Sequence, residues 1–153
     1  MCSEADPYED QINATSFLDM GGYICSGSMV NNTSFDLTPY VLTANHCIDT
    51  NLNDSNPAPT GVHNYYTFYF NHQSSTCNGT NGYYGHSKTG SQLKASRNLS
   101  YSDFALLEMT SNIPDNYNPY YVGWSHVASP PQDAVGIHHP GGGIKKITQD
   151  GTS

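Results

Sequence analysis

The sequence predicts an all-β protein, and three observations carry that reading. Charged residues make up only 12% of the chain, while 14 Gly and 9 Pro, with many Asn, Ser and Thr, are spread along its whole length. Short strands joined by frequent turns use such a mixture, and long helices do not. The run Tyr65-Tyr66-Thr67-Phe68-Tyr69-Phe70 is dense in aromatic side chains and is the clearest strand of the chain. No internal repeat and no coiled-coil period competes with this pattern.

Taken in order, Gly21 to Cys25 and Ser28 to Asn31 read as one strand holding Tyr23, Ile24, Met29 and Val30. Asn31 to Pro39 is its turn and Tyr40 to Thr43 the returning strand. Thr50 to Gly61, rich in Asn, Pro and Asp, reads as a loop. After the aromatic strand, Gln73 to Gly90 is polar and Gly-rich, a surface excursion. Ser91 to Ser96 can form another strand, with Leu93 and Ala95 on one face and Lys94 on the other. Phe104 to Met109 is expected to close the first sheet into a barrel. Ser111 to Tyr121, with its Pro and Asn residues, reads as an interdomain connection. Tyr121 to Trp124, Ala134 to His138 and Ile144 to Thr148, around a turn at Pro140 to Gly143, then begin a second unit whose strand edges are left unpaired. Trp124 and the tyrosines are expected to pack the barrels, and Lys145 and Lys146 to lie on a solvated hairpin. The division is residues 1–110 for a first barrel, 111–121 for the connection and 122–153 for an incomplete second barrel. At 153 residues the chain is long enough for one domain with a real core but short for two complete barrels.

The formal net charge of −8, with only five Lys plus Arg, argues against nucleic acid as a partner, because little is available to neutralise phosphates. No stretch approaches the length of a membrane span. Met1 is followed by Cys2, Ser3 and Glu4 rather than a basic start and an apolar run, so an export leader is expected outside these residues. Four cysteines, Cys2, Cys25, Cys47 and Cys77, contain no Cys-x-x-Cys pair; two disulfides are the natural reading, with three pairings open. Such bridges imply an oxidising, extracellular compartment. Sequons at Asn13, Asn32, Asn53, Asn78 and Asn98 fit secretion, although an Asn-rich chain produces them by chance.

The most informative stretch is Cys25-Ser26-Gly27-Ser28 followed by Leu42-Thr43-Ala44-Asn45-His46-Cys47. It resembles the chymotrypsin-like serine endopeptidases, whose catalytic histidine lies in a Leu-Thr-Ala-x-His-Cys segment after a Cys-x-Gly-Ser strand. Ser102-Asp103-Phe104-Ala105-Leu106-Leu107 resembles the catalytic aspartate of that family at the head of an apolar strand. Gly136-Ile137-His138-His139-Pro140 with Lys145-Lys146-Ile147-Thr148 resembles the secreted lysyl endopeptidase branch. The fold implied is a chymotrypsin-like antiparallel β-barrel, the first complete and the second only begun. The pairing implied is Cys25 with Cys47 and Cys2 with Cys77. The roles implied are a general base at His46 and, at Asp103, a carboxylate that fixes the imidazole tautomer. Asn45 departs from the family, where Ala or His is commoner.

No Gly-x-Ser-Gly-x-Pro segment follows Asp103, so the resemblance puts the nucleophile beyond residue 153. Ser26 and Ser28 belong to the strand before the histidine and read as structural, since a nucleophile needs an oxyanion hole and a pocket beside it. His138 and His139, with His46, His63, His72, His86 and His126 as further donors, lack the spacing of a metal site, because adjacent residues on a strand point to opposite faces. The expectation is therefore a serine endopeptidase acting on polypeptides, after Lys or other basic residues by branch resemblance. It needs no cofactor or metal and is a monomer when complete. A protease-like binding or regulatory module without activity is the alternative, and a small metal-binding protein a distant third.

Overall fold

The computed structural model describes residues 2–49, 62–129 and 133–150. The loop expected at Thr50 to Gly61, with the Asn53 sequon, lies outside the described residues.

Six antiparallel strands form a closed barrel: β1 (Thr15–Asp19), β2 (Ile24–Val30), β3 (Tyr40–Thr43), β4 (Val62–Tyr69), β5 (Ser87–Arg97) and β6 (Phe104–Met109), in the order β1-β2-β3-β6-β5-β4. Inward-facing Leu18, Met29, Val41, Phe68, Leu93, Ala105 and Leu107 fill it. β6 joins β3 to β5 as expected, and β1 completes the ring by pairing with β4, with Phe17 opposite Tyr69. β1 had no signal in the sequence because Thr15, Ser16, Phe17 and Leu18 are all buried, so the strand shows no apolar and polar alternation. One face fills the barrel, and the other is covered by later parts of the chain.

Ahead of β1, a 3₁₀ turn (Ser3–Tyr8) leads into the short helix α1 (Glu9–Ala14), which buries Ile12 and Ala14. Six residues are too few for a helical period to register in a sequence. β2 is continuous through Ser26 and Gly27, where the sequence reading leaves a break. Glycine is required there by barrel crowding: a Cβ would stand 2.6 Å from Val41 Cγ1 and 3.0 Å from Leu18 Cδ1. Leu93 and Ala95 do not share a face, because the β5–β6 register shifts between them and leaves Ala95 exposed.

After β6 the chain crosses the barrel through a 3₁₀ turn (Asp115–Tyr117), where the Tyr117 ring stacks on His86 at 4.2 Å. The strand expected at Tyr121 to Trp124 is a single parallel bridge, Val122 to Val30. Trp124 is 61% exposed and packs no core among the described residues, and Tyr23, Tyr65, Tyr83, Tyr84 and Tyr101 are exposed as well. β7 (Ala134–His138) and β8 (Lys146–Asp150) pair as a separate two-stranded hairpin with Ile137 opposite Ile147. Lys145 is not on a freely solvated hairpin but half-buried, and its Nζ donates to the Ile12 carbonyl under α1.

Candidate active site

β3 ends at Thr43, directly opposite Ala105 in β6. That register brings the segment after β3 against the residue before β6, so groups 57 positions apart in sequence meet. The segment after β3 is a 3₁₀ turn (Asn45–Cys47). It is fixed from both sides. Cys47 is bridged to Cys25 of β2, with Cα atoms 6.3 Å apart. Asn45, fully buried, donates its backbone N–H to the Asp103 carbonyl at 3.3 Å and accepts from the N–H groups of Ile48 and Asp49 at 2.9 Å. Cys2 is bridged to Cys77, so both pairings implied by the family resemblance are present.

Asp103 has φ of 45°, the left-handed region that Asp tolerates better than most residues. It closes a turn in which the N–H groups of Tyr101 and Asp103 both donate to the Asn98 carbonyl at 3.1 Å. The turn aims the carboxylate at His46. Oδ1 accepts the His46 backbone N–H at 3.0 Å, and Oδ2 lies 2.6 Å from Nδ1 of the ring. Burial alone would raise the Asp103 pKa, but the hydrogen bonds from the His46 ring and backbone, with that of the Asn45 backbone, outweigh it and hold the carboxyl below its ordinary 3.8. The His46 ring is 48% exposed and the carboxylate 24%. With an ionised carboxylate at Nδ1, the neutral imidazole carries its proton there, and Nε2 is left as a proton acceptor.

The other candidates are otherwise engaged. Ser26 Oγ accepts the His139 backbone N–H at 2.8 Å, and its carbonyl accepts from Thr43 Oγ1 at 2.9 Å. Ser28 lies in the ladder opposite Leu42. The donor atoms of Cys25, His46 and Cys47 lie within 4.8 Å of one another, but both sulfurs are consumed in the disulfide, leaving one nitrogen and no metal site there. His138 ends β7 and His139 follows it, buried, with Nδ1 donating to the Gly143 carbonyl at 3.0 Å. His63 stacks on Tyr66 at 4.4 Å, and His86 Nδ1 meets Asn71 Nδ2 at 2.9 Å. Asn98 is buried, so its sequon is closed to a glycan in the folded protein. Sequence reasoning missed the backbone grip on the carboxylate and the buried amine of Lys145. Neither has a sequence signal, since both depend on which segments the barrel brings together.

The family model for the lysyl endopeptidase C-terminal domain matches residues 1–153. The fold is similar to that of a Glu endopeptidase solved in complex with MPD, with a TM-score of 0.57 and 18% sequence identity over 92% of this chain. The match covers 62% of that protein, so this chain spans less than two thirds of its length. The closed six-stranded barrel is a chymotrypsin-like fold, and the family match over all 153 residues leads to one conclusion: the chain belongs to the lysyl endopeptidase C-terminal domain family.

Proposed function

We propose that this chain carries the general base and the orienting carboxylate of a secreted serine endopeptidase. The observation that supports it is the doubly engaged Asp103 carboxylate, one oxygen on the His46 backbone and the other on Nδ1 of its ring. A serine hydroxyl contributed from outside residues 1–153 attacks the scissile carbonyl while His46 Nε2 takes its proton. His46 then delivers that proton to the leaving amine, and Asp103 stabilises the imidazolium formed in between. Every role is filled by a side chain, so the reaction calls for no cofactor. The substrate is a polypeptide, cut after Lys or another basic residue. The matching family's name supports that choice, and so does the net charge of −8, which attracts basic substrates. Extracellular location is supported by the two disulfides.

The alternative is a protease-like binding module without activity, in which His46 and Asp103 meet no nucleophile. A fluorophosphonate probe separates the two. Residues 1–153 alone are expected to stay unlabelled. A folded polypeptide that continues into a Gly-x-Ser-Gly-x-Pro segment is expected to react at that serine, and to lose the reaction when His46 is replaced by Ala. A folded, extended polypeptide that fails to react overturns the enzyme reading and supports the module.

A further inference from the structure

The hairpin β7–β8 docks on the barrel through basic side chains that have no acidic partner among the described residues. His139, just after β7, is 5% exposed, and His72, beyond β4, is 2% exposed. Their rings lie 5.7 Å apart, and each stands 5.6 Å from the ring of Phe17 in β1. Tyr84 packs on His72 at 4.0 Å, and Tyr69 stacks on Phe17 at 5.7 Å. Lys145 donates its Nζ to the Ile12 carbonyl and its backbone N–H to the His72 carbonyl at 3.0 Å. The His139 backbone N–H donates to Ser26 Oγ of β2 at 2.8 Å.

Each imidazole uses one nitrogen and leaves the other bare. His139 donates Nδ1–H to the Gly143 carbonyl, and His72 is hydrogen-bonded to the Tyr83 backbone. Nε2 of His139 and Nδ1 of His72 are buried without a hydrogen-bond partner. The Gly82 backbone closes over the latter, where a Cβ would come within 2.5 Å of Nδ1. A bare lone pair can be buried there at modest cost. Its protonated form is an unsatisfied donor on a buried cation.

Among the described residues no acidic group in the seam offsets such a charge. The ionisable groups that act on His139 are Lys145, His72 and His138, and Lys145 also acts on His72; all are basic. Glu9 and Asp10 of α1 are exposed, Asp19 of β1 accepts the Gly21 N–H, and β2 carries no charged residue. Lys146 lines, with Ile12, Ile144 and Lys145, the adjoining cavity of about 150 Å³.

We propose that this seam is an acid-released latch: protonation of His72 and His139 frees the β7–β8 hairpin from the barrel while the barrel stays folded. The inference does not depend on the proteolytic reading. Burial lowers the His72 pKa and pushes that of His139 down from 6.5 to about 4. Burial likewise brings Lys145 from 10.5 down to about 7. A base whose pKa is lowered by docking binds protons better when released, so acid favours release. Docking is strongest at alkaline pH, weakens as Lys145 charges between about 10.5 and 7, and weakens again between about 6.5 and 4 as the imidazoles charge. The His139 shift alone corresponds to a loss of about 300-fold in the docking equilibrium across its window.

Amide hydrogen exchange on the full chain, corrected for the intrinsic pH dependence of exchange, tests this. Between pH 7 and pH 4.5 the amides of β7 and β8 are expected to lose protection by tenfold to 100-fold, while those of β3 and β6 keep theirs. A His72→Gln/His139→Asn variant should flatten that dependence. Full hairpin protection at pH 4.5, loss shared equally by β3 and β6, or an unchanged profile in the folded double variant overturns the latch. Should the variant fail to fold, wild-type imidazole titrations followed by NMR decide: midpoints of His72 and His139 below 6.5 support it, and midpoints at or above 6.5 overturn it.

Discussion

Asp103→Asn is expected to lower turnover about ten-thousandfold, with little change in KM, in a polypeptide that joins these residues to a serine nucleophile. That factor corresponds to about 5.5 kcal/mol of transition-state stabilisation. The substitution is nearly isosteric. Asn tolerates the left-handed φ of 45° as well as Asp does, and its Oδ1 can still accept the His46 N–H, so the turn before β6 survives. What changes is the atom 2.6 Å from Nδ1. An amide NH2 there donates where the carboxylate accepts, which moves the imidazole proton to Nε2 and removes the base. It also takes away the negative charge that steadies the imidazolium. Steady-state kinetics on a peptide substrate checks this, and near-normal turnover would remove Asp103 from the mechanism.

Replacing Cys2 and Cys77 together by Ser is expected to cost about 4 kcal/mol of stability, more than loss of the Cys25 bridge. The two bridges close spans of 75 and 22 residues, and in the chain-entropy model the longer span restrains the unfolded chain by about 4 kcal/mol against about 3 for the shorter. The bridge also holds the N-terminal arm, which contributes buried Ala5 and Ile12 and the carbonyl that Lys145 needs. Urea unfolding of the double variant beside the wild type measures the difference. A loss below about 1 kcal/mol would mean that packing, not the covalent tie, orders the arm.

Much of the barrel is legible in the sequence because its central strands follow simple rules. Tyr40 to Thr43 and Phe104 to Met109 are short apolar runs between turns, and the structure keeps both as expected. β1 is illegible for the opposite reason. Both of its faces are covered, one by the barrel core and one by His72 and His139, so the alternation that marks a strand vanishes. Lys145 illustrates a second limit. Adjacent to Lys146 in a polar hairpin sequence, nothing local distinguishes it, and only the packing of α1 against the hairpin buries its amine. At the site, the segments around His46 and Asp103 can be recognised one at a time. Their meeting depends on the pairing of Thr43 with Ala105 and on the left-handed turn at Asp103, neither of which a linear pattern specifies.

The hydrogen bond between His46 Nδ1 and the Asp103 carboxylate underlies every role proposed for the pair, and nitrogen-15 NMR of the imidazole ring reads it directly in residues 1–153. For the neutral ring the predicted result is a proton on Nδ1 and a bare Nε2, with that preference lost in Asp103→Asn. A neutral ring protonated at Nε2, or a tautomer mixture indifferent to the Asp103 substitution, would contradict it.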